Sequence, residues 1–214
     1  MKKIILLILI PLSFISCNMK RENNKIIYED AEIPSSISAS EMLDSLEINI
    51  DKNIEDYTKN ILQFVEDEKP QLNDSSLIAK ALSGNMEIFD EITTTMVPAT
   101  VNDSNFYKYS YYIAEKYNYV NAYSYVFLVS SGQSAKYCED NLCDDNGWPL
   151  DNIGEGQKKI ALSCLIKSYK KGDFWTAKVL SYYFREGYYF PKNMDVANEL
   201  DSIYRRAYPP KYKP

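Results

Sequence analysis

The chain has 214 residues, with 24 basic and 30 acidic side chains, a formal charge of −6 and no histidine. Without imidazole, serine–histidine and cysteine–histidine catalysis are excluded, as are most zinc sites. The acid excess argues against nucleic acid and against docking on anionic lipid, and suits a basic protein partner.

The first element is a signal. Lys2 and Lys3 precede an apolar run from Ile4 to Ile15, and the small residue Ser16 follows. A basic start, a short hydrophobic stretch and a small residue before the cut are what export requires. The run is too short for a bilayer core of about 30 Å, and Pro11 interrupts it. Phe14-Ile15-Ser16-Cys17 resembles the bacterial lipobox, with Phe14 where leucine is usual. Residues 1–16 are therefore expected to be removed as a signal peptide, leaving Cys17 as a lipid-modified N-terminus. Asn18, and not aspartate, follows it, which points to the periplasmic face of the outer membrane. Removal of Lys2 and Lys3 takes the formal charge from −6 to −8.

Residues 17–37 are polar and mixed in charge, with Pro34-Ser35-Ser36, and form the expected tether for a folded domain over 38–214. Ser38 and Glu41 make an S-x-x-E capping box. Leu43, Leu46, Ile50, Ile54, Tyr57, Ile61 and Phe64 then recur in steps of three and four, predicting a long amphipathic helix that Pro70 ends, with a break near Asn49–Asn53. Asn73-Asp74 caps a helix to Gly84, and Met86–Met96 gives another before Pro98. Asn102-Asp103 caps a tyrosine-rich helix to about Tyr117, and Tyr119–Ser131 the next. Of the 19 tyrosines, nine fall between Tyr107 and Tyr137; such side chains suit semi-buried helix packing and protein-binding surfaces alike. Gly132 to Gly156 is a loop. Helices over Lys158–Lys171, Asp173–Arg185 and Asn193–Tyr208 complete the chain, and no alternating stretch demands a strand.

Besides Cys17 the chain has Cys138, Cys143 and Cys164. In an oxidising compartment a pair with one thiol over is expected. Cys138 and Cys143 flank the polar Glu139-Asp140-Asn141-Leu142, which favours that bridge. Cys164 sits at an apolar helical position as a small core residue; its pairing with either loop cysteine is the alternative.

Helix pairs invite a search for periodicity. Gly172-Asp173, Ala177, Leu180, Tyr183, Gly187, Pro191-Lys192-Asn193 and Ala197 give helix, Gly turn, helix, Gly-x-x-x-Pro turn, helix. Gly172, Ala177 and Ala197 stand where helices approach or where a turn needs a positive φ. Residues 158–207 resemble the Sel1-like repeat, a relative of the tetratricopeptide repeat. Weaker copies lie upstream, with Tyr117, Asn118, Ala122 and Tyr125 in the places of Gly172, Asp173, Ala177 and Leu180, and Gly84-Asn85 before them. The resemblance implies an all-α fold: an α-solenoid of Sel1/TPR-like helix pairs, its concave face a binding surface, with the long N-terminal helix capping one end.

No reacting constellation is evident: a P-loop, nucleophile elbow and dinucleotide fingerprint are absent, no cofactor is implied, and an enzyme is not expected. Glu139, Asp140, Asp144 and Asp145 share one loop, yet their spacing matches no EF-hand and loop acids are commonly just solvated, so no metal is expected. A lipid-anchored, acidic, Sel1-like chain is similar to immunity lipoproteins paired with type VI secretion effectors, particularly phospholipases. That resemblance implies a protein partner, a secreted toxin to be bound and neutralised. The acidic loop, with Trp148 as apolar anchor, is the candidate plug, and Tyr188 and Tyr189 are further candidate contacts. The alternative is an envelope scaffold or assembly protein that binds other periplasmic or outer-membrane proteins.

Overall fold

The structure is a computed structural model that describes residues 37–73, 76–96, 105–131, 150–151 and 153–209. The described residues form eight α-helices and no strand: α1 (Ala39–Glu68), α2 (Leu77–Leu82), α3 (Met86–Glu91), α4 (Phe106–Tyr117), α5 (Val120–Ser130), α6 (Glu155–Lys170), α7 (Trp175–Glu186) and α8 (Met194–Ala207). The fold is all-α. Cys17, with the signal and tether that flank it, lies outside the described residues.

The capping box starts α1 as expected. Ser38 Oγ accepts the Glu41 N–H at 3.3 Å, and Glu41 Oε2 accepts the Ser38 N–H at 3.1 Å. The expected break near Asn49–Asn53 does not occur: α1 is continuous over 30 residues. The Asn53 amide donates to the Asn49 carbonyl at 2.7 Å, so the polar pair reinforces the turn it might have interrupted. Met42, Leu43, Leu46, Ile50, Ile54, Ile61 and Val65 are buried in one stripe, while Tyr57 is 37% exposed.

The short helices follow local caps. Ser76, and not Asn73-Asp74, opens α2, its Oγ accepting the Ala79 N–H at 3.1 Å. Asn85 opens α3. The helix expected to run to Met96 is α-helical only to Glu91 and widens over Ile92–Met96. The hydroxyls of Thr93 and Thr94 both donate to the Asp90 carbonyl, at 3.0 and 2.8 Å, and compete with the backbone for it.

From α4 onward each helix packs on the next, and α1 packs on α4, α6 and α8. The long N-terminal helix therefore does not cap one end; it runs along the face that alternate helices present. The physical reason is its stripe. Eight buried residues spread over α1 need apolar cover along the whole length, which the end of one helix pair cannot supply.

α1 and α6 are antiparallel, as three contacts in order along them show. Lys170, near the end of α6, pairs with Asp44 at 2.6 Å and Glu47 at 2.7 Å. One turn back, Lys167 lies 3.2 Å from Asp51 and 3.1 Å from Glu115 of α4, and Ser163 donates to Asp51 at 2.6 Å. At the start of α6 the Tyr57 ring lies where a Cβ on Gly156 would be 2.9 Å away. Beyond, Tyr57 shares a 3.1 Å hydroxyl contact with Tyr107 of α4. Burial of Lys167 works to lower its pKa, but the charges of Glu115 and Asp51 outweigh that and hold it up to about 12.

The turn residues fall close to their expected places. Gly172 and Gly187 take φ of +98° and +74°, and Gly84 takes +104°. Between α4 and α5 the left-handed residue is Asn118, at φ +54°, one place after the Tyr117 expected there. Ala122 and Ala177 are each the third residue of their helix, both 0% exposed, and Leu180 and Ala197 are likewise fully buried.

Candidate functional site at the base of the acidic loop

Between α5 and α6 the chain passes through 132–149, which carries Cys138, Glu139, Asp140, Cys143, Asp144, Asp145 and Trp148; all lie outside the described residues. What the structure describes is the base from which that loop springs. On one side α5 ends at Ser130 and Ser131, both buried, the Ser131 hydroxyl donating to the Leu128 carbonyl at 2.9 Å. Gln157 of α6 reaches across to Ser130 Oγ at 3.4 Å. On the other side Leu150 is 0% exposed.

Leu150 is held by Tyr189. Its N–H donates to the Tyr189 hydroxyl oxygen at 2.7 Å, and that hydroxyl donates to Asp151 Oδ1 at 3.1 Å. Tyr189, expected among the partner contacts, is buried, with φ +57°. A left-handed backbone at a residue with a Cβ costs about 1–2 kcal/mol, so the surrounding contacts must hold it. They include the Tyr183 ring, centroid 5.0 Å away at 81°, and the Gly187 turn just before it. Tyr183 is fully enclosed, and burial raises its phenol well above the usual range. Tyr188, the other candidate, is half-buried against Tyr182 at 5.7 Å. At the start of α6, Lys158 is buried and its ammonium donates to Glu155 at 2.8 Å.

Cys164 is unbridged and fully buried in the middle of α6, and burial pushes its thiol up. Lys167, Glu115 and Asp51 act on it electrostatically, so it belongs to the seam with α1 and α4.

Other polar clusters tie helices together. The Tyr112 hydroxyl donates to Glu66, and Lys116 donates to both. Burial, and then the hydrogen bond to Glu66, raise the Tyr112 pKa. Ser124 of α5 and Ser168 of α6 both donate to Asp173 of the turn before α7. Among the described residues no group of three or more acid, cysteine or histidine side chains is placed to hold a metal ion, and no helix is long and apolar enough to cross a membrane.

Sequence reasoning missed the clamp. An aromatic pair after a glycine turn reads equally well as surface or core, and the signal that would have separated them, the partner at Leu150, lies 39 residues away. Compared with protein-family models, curated proteins and solved structures, the chain finds no match in any of the three.

Proposed function

We propose that this chain is an envelope lipoprotein, tied through Cys17 to the periplasmic face of the outer membrane, that binds a toxic protein and neutralises it through the loop 132–149. The observation that carries this reading is the clamp at the loop's base: Leu150 and Tyr189 fix one end, the buried Ser130–Ser131 the other. The clamp fixes where the loop leaves the helical body, so a partner would meet it at a set place. Its acids suit a basic partner surface, and Trp148 a pocket at the centre of the contact.

The scaffold under it is read as a set of degenerate Sel1-like pairs, α2/α3, α4/α5 and α6/α7, with α8 opening another. The recurring left-handed turns at Gly84, Asn118, Gly172 and Gly187 support that reading, as do Ala122 and Ala177 at matching helical positions. In repeat proteins of this kind a partner usually lies against one face of alternate helices; here α1 takes the face of α4, α6 and α8. Recognition therefore moves from a groove to the loop.

The test uses the chain from residue 18 onward, which contains every described residue, as bait against its native envelope and the products of neighbouring genes. Nanomolar capture of one toxic enzyme, and survival of cells carrying that toxin in the periplasm, are expected. Both should fail when Trp148, Asp144 and Asp145 are replaced together. Growth arrest despite abundant protein would dismiss neutralisation, and capture of several envelope proteins in its place would make the chain an assembly scaffold.

A further inference from the structure

The end of the molecule opposite the loop carries an aromatic surface that the core does not use. Phe174, in the turn between α6 and α7, is 40% exposed and Tyr208, at the end of α8, is 48% exposed. Each leans on a second ring: Phe174 on Tyr169 at 6.2 Å, Tyr208 on Tyr204 at 5.4 Å. The half-buried Trp175 lies between, its backbone bonded to Tyr208, and the Lys178 ammonium stands 5.7 Å from the Tyr204 ring centre.

Cations border this surface, and its acids are engaged with neighbouring groups. Lys171, Lys178 and Arg206 are exposed. Asp173 accepts from Ser124 and Ser168, Glu199 accepts the Ala39 N–H, and Asp201 pairs with Arg205. Beside the rings themselves Lys178 and Arg206 locally offset the acid excess, while Asp44 and Glu47 at the same end are paired with Lys170. Rings with an apolar body and a polar edge, bordered by lysine and arginine, have the chemistry of the interface between water and lipid.

The path of the chain favours a bilayer over a protein as occupant. Ala39, the first residue of α1, bonds to Glu199 of α8 at 2.9 Å, and Tyr169 lies within the fields of both Glu199 and Arg206. From Glu199 to Arg206 is seven residues, about 10 Å along the helix. About 20 residues separate Cys17 from this point. We propose that the surface formed by Phe174, Trp175, Tyr204 and Tyr208, with Lys178 and Arg206 at its rim, rests in the interfacial layer of the phospholipid bilayer to which the N-terminus is tied, so that the body stands with α6 across the membrane plane and the loop outward. The proposal rests on the lipoprotein reading for its orientation, but not for its test.

The chain from residue 18 onward, without lipid, is sedimented with vesicles of phosphatidylethanolamine and phosphatidylglycerol and, separately, of phosphatidylcholine. Binding to the first is expected, weaker binding to the second, and a loss of at least roughly tenfold, about 1.4 kcal/mol, when Phe174→Ser and Tyr208→Ser are combined. Met194→Ser is the control: Met194 is 45% exposed at the start of α8, roughly 20 Å along that helix from Tyr208, and its replacement should leave vesicle binding unchanged. Circular dichroism confirms that all variants keep their helices. No sedimentation above a vesicle-free control overturns the proposal. So does equal binding by the double variant, or a protein partner captured at these rings by a chain that ignores vesicles. Failure of Cys17 to take up labelled palmitate would remove the lipoprotein reading and leave this measurement standing.

Discussion

The Tyr117 hydroxyl donates to the Leu82 carbonyl at 2.8 Å, across 35 residues, and its ring lies over Gly84. The same tyrosine that precedes the left-handed Asn118 between α4 and α5 covers the turn glycine between α2 and α3. One residue thus couples two consecutive helix pairs.

Two substitutions measure that coupling. At Gly84, φ +104° and a Cβ placed 3.0 Å from the Tyr117 ring both oppose a side chain, so Gly84→Ala should destabilise by about 1–3 kcal/mol. Tyr117→Phe keeps the ring and loses the hydrogen bond, for about 1 kcal/mol. Urea unfolding of the single and double variants should show non-additive costs, and strict additivity would separate the two turns.

Lys167 is the junction of three helices, held by Asp51 of α1 and Glu115 of α4. Lys167→Met leaves two carboxylates facing each other with no cation between them. Because Lys167 is largely buried but its partners are partly exposed, the loss should be about 1–3 kcal/mol, short of a fully buried pair. Adding Asp51→Asn should return part of it in a double-mutant cycle. A loss unaffected by the second change would show that Asp51 contributes nothing.

Alkaline pH should unfold the protein cooperatively. Desolvation, and then Asp90, raise Tyr119 from 10.0 to about 12, and burial raises Tyr107, Tyr111 and Tyr123 as well. Lys167 rises from 10.5 to about 12. For groups with raised folded values the stabilisation is whole below the ordinary value and is lost as pH climbs towards the folded one. Stability should therefore hold to about pH 10 and fall between there and about 12. The exposed tyrosines should ionise first and the buried ones only with the loss of helix, followed by tyrosinate absorbance beside circular dichroism. Smooth ionisation of all 19 with helices intact would contradict this.

Tyr189→Phe removes the hydroxyl that accepts from Leu150 and donates to Asp151. A buried N–H left unpaired costs about 1–3 kcal/mol. The effect should be concentrated at the loop base, so limited proteolysis within 132–149 should quicken more than global unfolding. Equal acceleration at every cleavage site would show that the bond does not anchor the loop in particular.

The helices were legible because their signals are local. The Ser38–Glu41 box, the stripe of α1 and the glycines at 172 and 187 act within a few residues of themselves. The placement of α1 was not legible. A stripe tells which residues seek cover but not what supplies it, and the acids at 44, 47 and 51 pair with lysines more than 100 residues away. Tyr189 escaped for the same reason, since its neighbours in sequence suggest a surface and its partner at Leu150 makes it core. The one-place shift from Tyr117 to Asn118 had a physical clue in asparagine's tolerance of left-handed backbone.

The start of α6 lies by the loop base and its end by Asp44 and Glu47 of α1, with 16 residues, roughly 24 Å, along the helix. That separation makes α6 a spacer of fixed height. A two-residue change in a flexible linker is absorbed, whereas one extra turn in α6 would lift the loop by about 5.4 Å and break the order of its contacts with α1. The reach of this protein is thus set by its rigid part, and any partner geometry that depends on distance is written into the length of one helix.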